Sequence, residues 1–520
     1  MSIQSFDRAQ TRTTLFGALL DARDRFGRNR HALEDPERQP LTFDRLVLGA
    51  LVLGRKLAGI TERNERVGVL LPNVQGLAVT IFGLNAYGRV PAMLNFTAGI
   101  KNLKAACEVA DVRTIVTSRR FVDQAKLEEV ADALGQGRRV VWLEDVRKTI
   151  TSLDKILGLL ASLQARRVHA RAGMQPDDPA VVLFTSGSEG VPKGVVLSNA
   201  NLVANARQVK AHAGNVLTEA DVFFNPLPMF HSFGLTAGLL TAVLNGMKSV
   251  LYPSPLHYRQ VPKLIAGTGA TVLLATDTFL QGYARAADES DLKSVRLVIA
   301  GAERVKDDTR RLWDKHRTTI LEGYGATECS PVIACNLPQT NTPGSVGPFL
   351  PGMEYRLDPV EGMHEGGRLH MRGPNVMLGY LDAKAPGGIA PPEGGWHDTG
   401  DIVTVDDGFV TIRGRAKRFA KIGGEMISLA AVEVMVQSLW PEFNHVVVSL
   451  PDARKGEQIV LVTDKAGADR ESLLAHGKAQ GVPELWIPKA VLVASIPVLG
   501  SGKIDYVATA EMVRNLRPML

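Results

Sequence analysis

Short apolar runs bounded by turn residues alternate with segments of helical period along most of this chain, and that alternation restricts the fold more than any other feature. Arg66-Val-Gly-Val-Leu-Leu71, Thr114-Ile-Val-Thr117, Arg139-Val-Val-Trp-Leu143 and Arg296-Leu-Val-Ile-Ala300 read as buried strands. Thr42 to Leu57 and Lys306 to His316 read as amphipathic helices. Such alternation predicts an α/β fold of largely parallel sheets covered by helices. From about Gly344 the texture changes. Short segments such as Gly367-Arg-Leu-His-Met-Arg372 and Phe409-Val-Thr-Ile-Arg413, split by Gly and Pro, predict a small antiparallel, barrel-like unit. After Arg415 a compact tail mixes a helix (Leu429 to Ser438) with strands (His445 to Leu450, Gln458 to Thr463). The expected division is a large domain over 1–415, with the barrel part at about 344–415, and a small α+β domain over 416–520.

The chain has 520 residues, too many for one core, so at least two domains are expected. Its three cysteines, Cys107, Cys329 and Cys335, form no CxxC pair and no metal-ligand spacing, which fits a reducing compartment. Cys329 lacks a nearby activating group and is read as ordinary packing. The first residues have no apolar h-region. The longest run without Asp, Glu, Lys or Arg is Val222 to Met247. Asn225, Pro226, Pro228 and His231 interrupt it, and the remainder is too short to span a bilayer. A cytoplasmic, soluble protein is expected, without a transmembrane segment. The net charge of +6 fits solvated faces or a basic patch for an acidic partner or an anionic membrane surface at the periphery. No arginine–aromatic interleaving or zinc spacing points to nucleic acid.

The loop Thr185-Ser-Gly-Ser-Glu-Gly-Val-Pro-Lys-Gly194 combines small residues, hydroxyls and a lysine, the chemistry of a phosphate cradle. It is not a Walker A loop: Lys193 follows Pro192, and Gly194 stands where the metal-binding hydroxyl belongs. Ala180 to Phe184 and Val195 to Ser198 read as strands, so the loop is expected to join a hairpin. Glu189, in its middle, is expected to face away from phosphate or to pair with a cation.

Further segments follow in order: Pro228-Met-Phe-His-Ser-Phe-Gly234, Ala300-Gly-Ala-Glu303, Gly323-Tyr-Gly-Ala-Thr-Glu328, Trp396-His-Asp-Thr-Gly-Asp401, Gly414-Arg-Ala-Lys417 and Gly500-Ser-Gly-Lys-Ile-Asp505. With the loop, they resemble the signatures of the adenylate-forming superfamily of acyl-CoA synthetases, luciferases and peptide-synthetase adenylation domains. A narrower likeness lies in Ala22-Arg-Asp-Arg-Phe-Gly-Arg28, Pro91-Ala-Met-Leu-Asn-Phe96, Tyr252-Pro-Ser-Pro-Leu-His-Tyr258, Arg415-Ala-Lys-Arg-Phe-Ala-Lys421 and Gly481-Val-Pro-Glu-Leu485. These resemble the acyl-acyl-carrier-protein synthetase half of bacterial 2-acylglycerophosphoethanolamine acyltransferase/acyl-ACP synthetases. No acyltransferase segment precedes them in this sequence, so direct lysophospholipid acylation is not expected.

The resemblance implies two helix-covered sheets, a distorted barrel and a mobile tail domain. It implies ATP- and Mg²⁺-dependent conversion of a medium- to long-chain fatty acid to acyl-AMP, then transfer to the thiol of acyl carrier protein, with coenzyme A (CoA) as the alternative acceptor. A non-catalytic acyl- or nucleotide-binding protein would be expected to lack Lys503, Glu328 or Asp401, and all three are present. By resemblance, Thr185 and Glu328 hold Mg²⁺, and Ser186, Gly187, Ser188, Gly190 and Lys193 hold phosphate. Gly301, Ala302 and Tyr324 form the adenine slot, within nucleotide-binding segments that add Glu303, Gly323, Gly325, Ala326 and Thr327. Asp401 and Arg415 take the ribose. Lys503 contacts the reacting oxygens, Lys417 is the hinge, and His231 stands beside the acyl carboxylate, with Phe233 and Leu235 towards an acyl tunnel. The basic run from Arg413 to Lys421 would suit an acidic carrier protein or the phosphates of CoA.

Overall fold

The computed structural model describes residues 6–185, 192–360, 365–381, 388–452, 455–497 and 504–516. Among them are two eight-stranded sheets. In the first, Thr319–Gly325, Leu297–Ala300, Val272–Ala275, Val222–Asn225, Lys248–Leu251 and His31–Glu34 lie side by side and parallel. Antiparallel strands Val332–Cys335 and Leu41–Thr42 close its edges. In the second, Pro179–Thr185, Val90–Met93, Arg66–Leu70, Thr114–Thr117 and Arg139–Trp142 are parallel neighbours. Antiparallel strands Lys193–Ser198, Gly379–Leu381 and Ile389–Ala390 extend it.

The inner strands are buried along their length, as runs without a polar face require: every residue of Thr114–Thr117 and of Val272–Ala275 is buried. Arg139–Trp142 departs from the expected buried strand. It is the sheet's edge, and only Val141 is buried. The predicted helices form over Phe43–Ala58 and Asp307–Asp314. The first begins where the Thr42 hydroxyl accepts the Arg45 N–H at 3.3 Å, satisfying a donor that the first turn leaves unpaired. The apolar run after His231 forms a π-helix, Phe233–Leu240, that continues into the α-helix Thr241–Leu244 and is buried apart from half-buried Phe233.

Helices Phe43–Ala58 and Gln75–Ala86 cross at two glycines. A Cβ on Gly54 would stand 2.3 Å from the Gly83 carbonyl oxygen, and neither backbone can yield. Gly54→Ala is therefore expected to lower stability by about 3 kcal/mol, seen as a shifted denaturant midpoint. Gly49→Ala on the same helix meets only Val79 Cγ1 at 3.4 Å and should be neutral or mildly stabilising. Equal effects at the two positions would contradict the crossing.

The chain divides into two compact units, residues 1–354 with 372–397, and residues 355–371 with 398–520. This differs from the 415/416 division read from sequence. The strands Glu354–Asp358, Gly367–Arg372, His397–Asp406 and Phe409–Arg415 form a four-stranded sheet, most of which groups with the tail. The reason is local. The Ser428 hydroxyl donates to the Arg413 carbonyl at 2.9 Å, and helix Leu429–Leu439 packs on Phe409–Arg415. The tail's own sheet orders Glu425–Ser428, Phe419–Ile422, Gly456–Thr463 and His445–Asp452, with Ala490–Val493 parallel to Gly456–Thr463.

Candidate active site

The phosphate-loop segment is carried by a hairpin, as expected from its flanks. Thr185 ends one strand and pairs across it with Lys193, which begins the next. Ser186, Gly187, Ser188, Glu189 and Gly190 lie outside the described residues, as does Lys503. The Lys193 ammonium stands 5.0 Å from the centre of the Tyr380 ring, a cation–π arrangement. Tyr380 belongs to the neighbouring strand, opposite Val195. Its hydroxyl donates to Glu328 Oε1 at 2.7 Å. Glu328 is fixed from its backbone as well, since its carbonyl accepts the Met377 N–H at 2.8 Å. Lys193, Tyr380 and Glu328 thus form one line from the loop's base to the carboxylate. Tyr380 escapes the sequence reading because it lies 52 residues beyond Glu328, on a strand of the other sheet, and only tertiary packing brings the two side chains together.

Three of the segments, 228–234, 300–303 and 323–328, lie at the C-terminal ends of the first sheet's strands, where open α/β sheets bind ligands. Gly301 follows Leu297–Ala300, and a Cβ there would come 3.0 Å from the Phe233 ring, so glycine lets the π-helix approach. Ala302 has φ of +66°, a left-handed conformation that costs a non-glycine residue energy and recurs at functional turns. Tyr324 is largely buried and pairs with Ala334 across the strand Val332–Cys335. Gly325 leaves room for the Pro331 carbonyl, which a Cβ would meet at 2.4 Å. The Thr327 and Ser232 hydroxyls lie 3.3 Å apart, linking the Glu328 turn to the start of the π-helix.

Two carboxylates here are engaged in scaffolding. Glu303 Oε2 accepts the Thr278 N–H at 3.0 Å and its hydroxyl at 2.9 Å, capping helix Asp277–Ala286. Buried Glu322, which the sequence reading passed over, accepts Val305 N–H and Gly344 N–H, each at 3.0 Å, and pairs with Arg310. It ties the strand Thr319–Gly325 to the loop that follows Glu303.

His231 is exposed, which excludes a core histidine. Its ring meets Phe230 edge-on at 4.7 Å, and Phe230 meets Phe96 at 5.0 Å. Phe233 is half-buried beside Gly301, whereas Leu235 is fully buried in the closed core. The thiols are inert. Cys329 is fully buried, and burial pushes Cys107 up to about 11 and Cys335 up to about 12.

In the second unit, Asp401 and Arg415 oppose each other across a strand pair, with Arg415 Nε 2.7 Å from Asp401 Oδ1. Asp401 is 3% exposed, while the arginine side chain remains 64% exposed. The basic run Arg413 to Lys421 is not one free cationic face. Arg418 pairs with Glu433 at 2.5 Å, donates to the Val447 carbonyl and stacks on Tyr506. Burial keeps the Glu433 carboxyl above its ordinary range despite Arg418. Arg413 Nε donates to the Thr404 hydroxyl at 3.2 Å.

No cluster of three or more His, Cys, Asp or Glu residues fit for a metal occurs among the described residues. Glu328 and Thr185 supply only oxygen donors, which suits Mg²⁺ held through one carboxylate with substrate phosphates completing its shell. No helix among the described residues is long and apolar enough to cross a membrane.

The model of the AMP-binding enzyme family matches residues 20–381. The chain belongs to the AMP-binding enzymes. This AMP-binding enzyme is 27% identical over 504 residues to the long-chain-fatty-acid–CoA ligase of Bacillus subtilis (strain 168), covering 89% of this chain and 88% of that one. It is 30% identical over 389 residues to the medium-chain fatty-acid–CoA ligase of Escherichia coli (strain K12), covering 71% and 68%. Its fold is that of ATP-bound MatB from Rhodopseudomonas palustris, with a TM-score of 0.79 at 23% identity over 97% of this chain and 99% of the other. O-succinylbenzoate CoA synthetase of Bacillus subtilis, solved with its acyl-adenylate intermediate, gives 0.77 at 22% identity over 95% and 97%. The α/β architecture expected from sequence, a large N-terminal part with mixed sheets and a smaller C-terminal part, is the fold of these ligases. The two relatives are named as CoA ligases, which favours the alternative acceptor over carrier protein.

Proposed function

We propose that the chain is an AMP-forming acid–thiol ligase that activates a medium- to long-chain fatty acid with ATP and passes the acyl group to CoA. The observation that carries this reading is the line Lys193–Tyr380–Glu328 behind a phosphate-type loop, in a chain whose family is AMP-binding. The difficulty of the reaction is electrostatic, because a carboxylate must approach a polyanion. The acid's oxygen attacks the α-phosphorus, pyrophosphate leaves, and acyl-AMP forms. The thiol sulfur then attacks the acyl carbonyl, and AMP departs with the bonding pair.

Backbone N–H groups and hydroxyls at residues 185–190, with Lys193, would cradle the phosphates. Thr185 and Glu328 would hold Mg²⁺, which neutralises phosphate charge when bound. Gly301, Ala302, Tyr324 and the chain from Gly323 to Thr327 would receive adenine, with Asp401 and Arg415 on the ribose. His231 would orient the acid, and Lys503 would bridge the reacting oxygens. Lys417 would be the hinge of a tail domain over 416–520.

Carrier protein is the second reading, and its support is the resemblance of five stretches to acyl-ACP synthetases. The pairing of Arg418 and Arg415 leaves less positive surface for an acidic partner than the sequence run suggests. The test supplies ATP, Mg²⁺, fatty acids of graded length and either CoA or carrier protein, and identifies the thioester by mass. Acyl-CoA is the expected product. Thioester on carrier protein alone would replace the first reading with the second, and no AMP release with any acid would end both.

A further inference from the structure

Helix Ser152–Leu163 turns its largest side chains to solvent. Leu153, Ile156, Leu159, Leu160 and Leu163 are 63%, 57%, 56%, 53% and 62% exposed. Five of the thirteen exposed large apolar residues among those described are therefore on one twelve-residue helix. Positions 153, 156, 160 and 163 follow the three-and-four spacing of a single helical face. Scattered apolar residues on a surface are ordinary, but a continuous stripe marks an interaction site.

The exposure is built in. Gly158 and Ser162 are the buried residues of the helix, and a Cβ on Gly158 would lie 2.3 Å from Val52 Cγ2 on helix Phe43–Ala58. The smallest side chain thus faces the protein and the leucines face away. Both ends are held. Thr151 and Asp154 form a reciprocal N-terminal cap, and Lys56 bonds Asp154 at 2.8 Å and the Thr149 carbonyl at 3.0 Å.

The surroundings are cationic. Arg147, Lys155, Arg167 and Arg171 are exposed, and none of them pairs with a carboxylate among the described residues. The acidic group on the helix, Asp154, is already neutralised by Lys56. The nearby Arg166 is taken up by Asp21 and Asp24.

We propose that Ser152–Leu163 docks on an anionic lipid bilayer, its leucine stripe entering the acyl boundary and the flanking cations meeting headgroup phosphates. Twelve residues rise about 18 Å, short of the roughly 20-residue length that spans a bilayer, so the helix lies on the surface. A second copy of the chain fits poorly, because a two-fold contact would set these cations against their own images. The stripe is aliphatic and carries no Trp or Tyr, the side chains that usually anchor protein partners.

The full-length protein is sedimented with phosphatidylcholine vesicles and with mixed phosphatidylcholine/phosphatidylglycerol vesicles, without ATP or acid. Binding is expected to the mixed vesicles, to weaken as salt rises, and to drop about tenfold for Ile156→Ser/Leu160→Ser. Lys155→Glu/Arg167→Glu should lose the preference for anionic vesicles while its circular dichroism and thermal midpoint stay at the parent's values. The proposal is overturned if the parent stays in the supernatant, or if both variants bind as the parent does. It is equally overturned if the parent is a dimer that Ile156→Ser/Leu160→Ser converts to monomer, since a second copy would then cover the stripe. Each readout is independent of catalysis, so failure here leaves the ligase reading in place.

Discussion

Glu328→Gln is expected to slow acyl-AMP formation by about 10²- to 10³-fold, the usual effect of removing a group that stabilises transition-state charge. The substitution keeps the side-chain size and leaves an oxygen to accept the Tyr380 hydroxyl, now bonded to Glu328 Oε1 at 2.7 Å. Folding should therefore survive, and the loss would report the missing charge alone. Pyrophosphate exchange across a Mg²⁺ series is the measurement, with a raised Mg²⁺ requirement expected alongside the slower rate. Tyr380→Phe separates holding from binding. It removes one hydrogen bond to a charged acceptor, worth about 1.5–3 kcal/mol, so a loss of about ten- to a hundredfold should appear with the same shift in Mg²⁺ dependence. If Glu328→Gln stays within about threefold of the parent, this carboxylate is not a metal ligand and the site must be sought elsewhere.

Lys503→Ala should divide the two half-reactions. In the proposed role, the Lys503 ammonium of Gly500-Ser-Gly-Lys-Ile-Asp505 acts as a point cation for charge passing from carboxylate to phosphate. Its loss is expected to slow adenylation by about 10³-fold. Thioester formation from supplied acyl-AMP should stay within about threefold if, as proposed above, the tail domain turns Lys503 away for the second step. Rapid-quench assays of each half-reaction measure both rates. Equal loss in both, with the protein still folded, would remove Lys503 from its assigned role.

The parallel sheets were legible because buried strands leave a one-dimensional trace, an apolar run ending in turn residues. The hairpin around Thr185 and Lys193 was legible for the same reason. Arg139–Trp142 misled, since an edge strand can carry Val and Trp like an inner one, and only its missing neighbour exposes it. Pairings across long separations left no trace. Tyr380 meets Glu328 where a strand of the second sheet packs on a turn of the first, and Glu303 is drawn to Thr278 by the open N–H groups of a helix start. Charge runs proved the least informative. Arg413 to Lys421 reads as one basic patch, yet Arg415 and Arg418 point to different carboxylates. Periodicity says which residues are buried, but it does not say which cations already have partners. Even the segment boundaries followed this rule, for the strand pair before Arg415 is bonded into the tail by Ser428.

The three cysteines, Cys107 and Cys329 buried and Cys335 partly so, bear on how such a ligase escapes its own product. Acyl-AMP is a mixed anhydride that any thiolate can intercept. A free thiol with an ordinary value near 8.5 is about one-tenth thiolate at pH 7.5. Cys107 and Cys335, pushed up to about 11 and about 12, would expose less than about one part in a thousand at that pH, and Cys329 has no solvent-accessible surface. The acceptor entering from solution therefore competes with no thiolate from the chain itself. The raised values of Cys107 and Cys335 and the burial of Cys329 thus keep the chain's own thiols from competing with the acceptor for the activated acid.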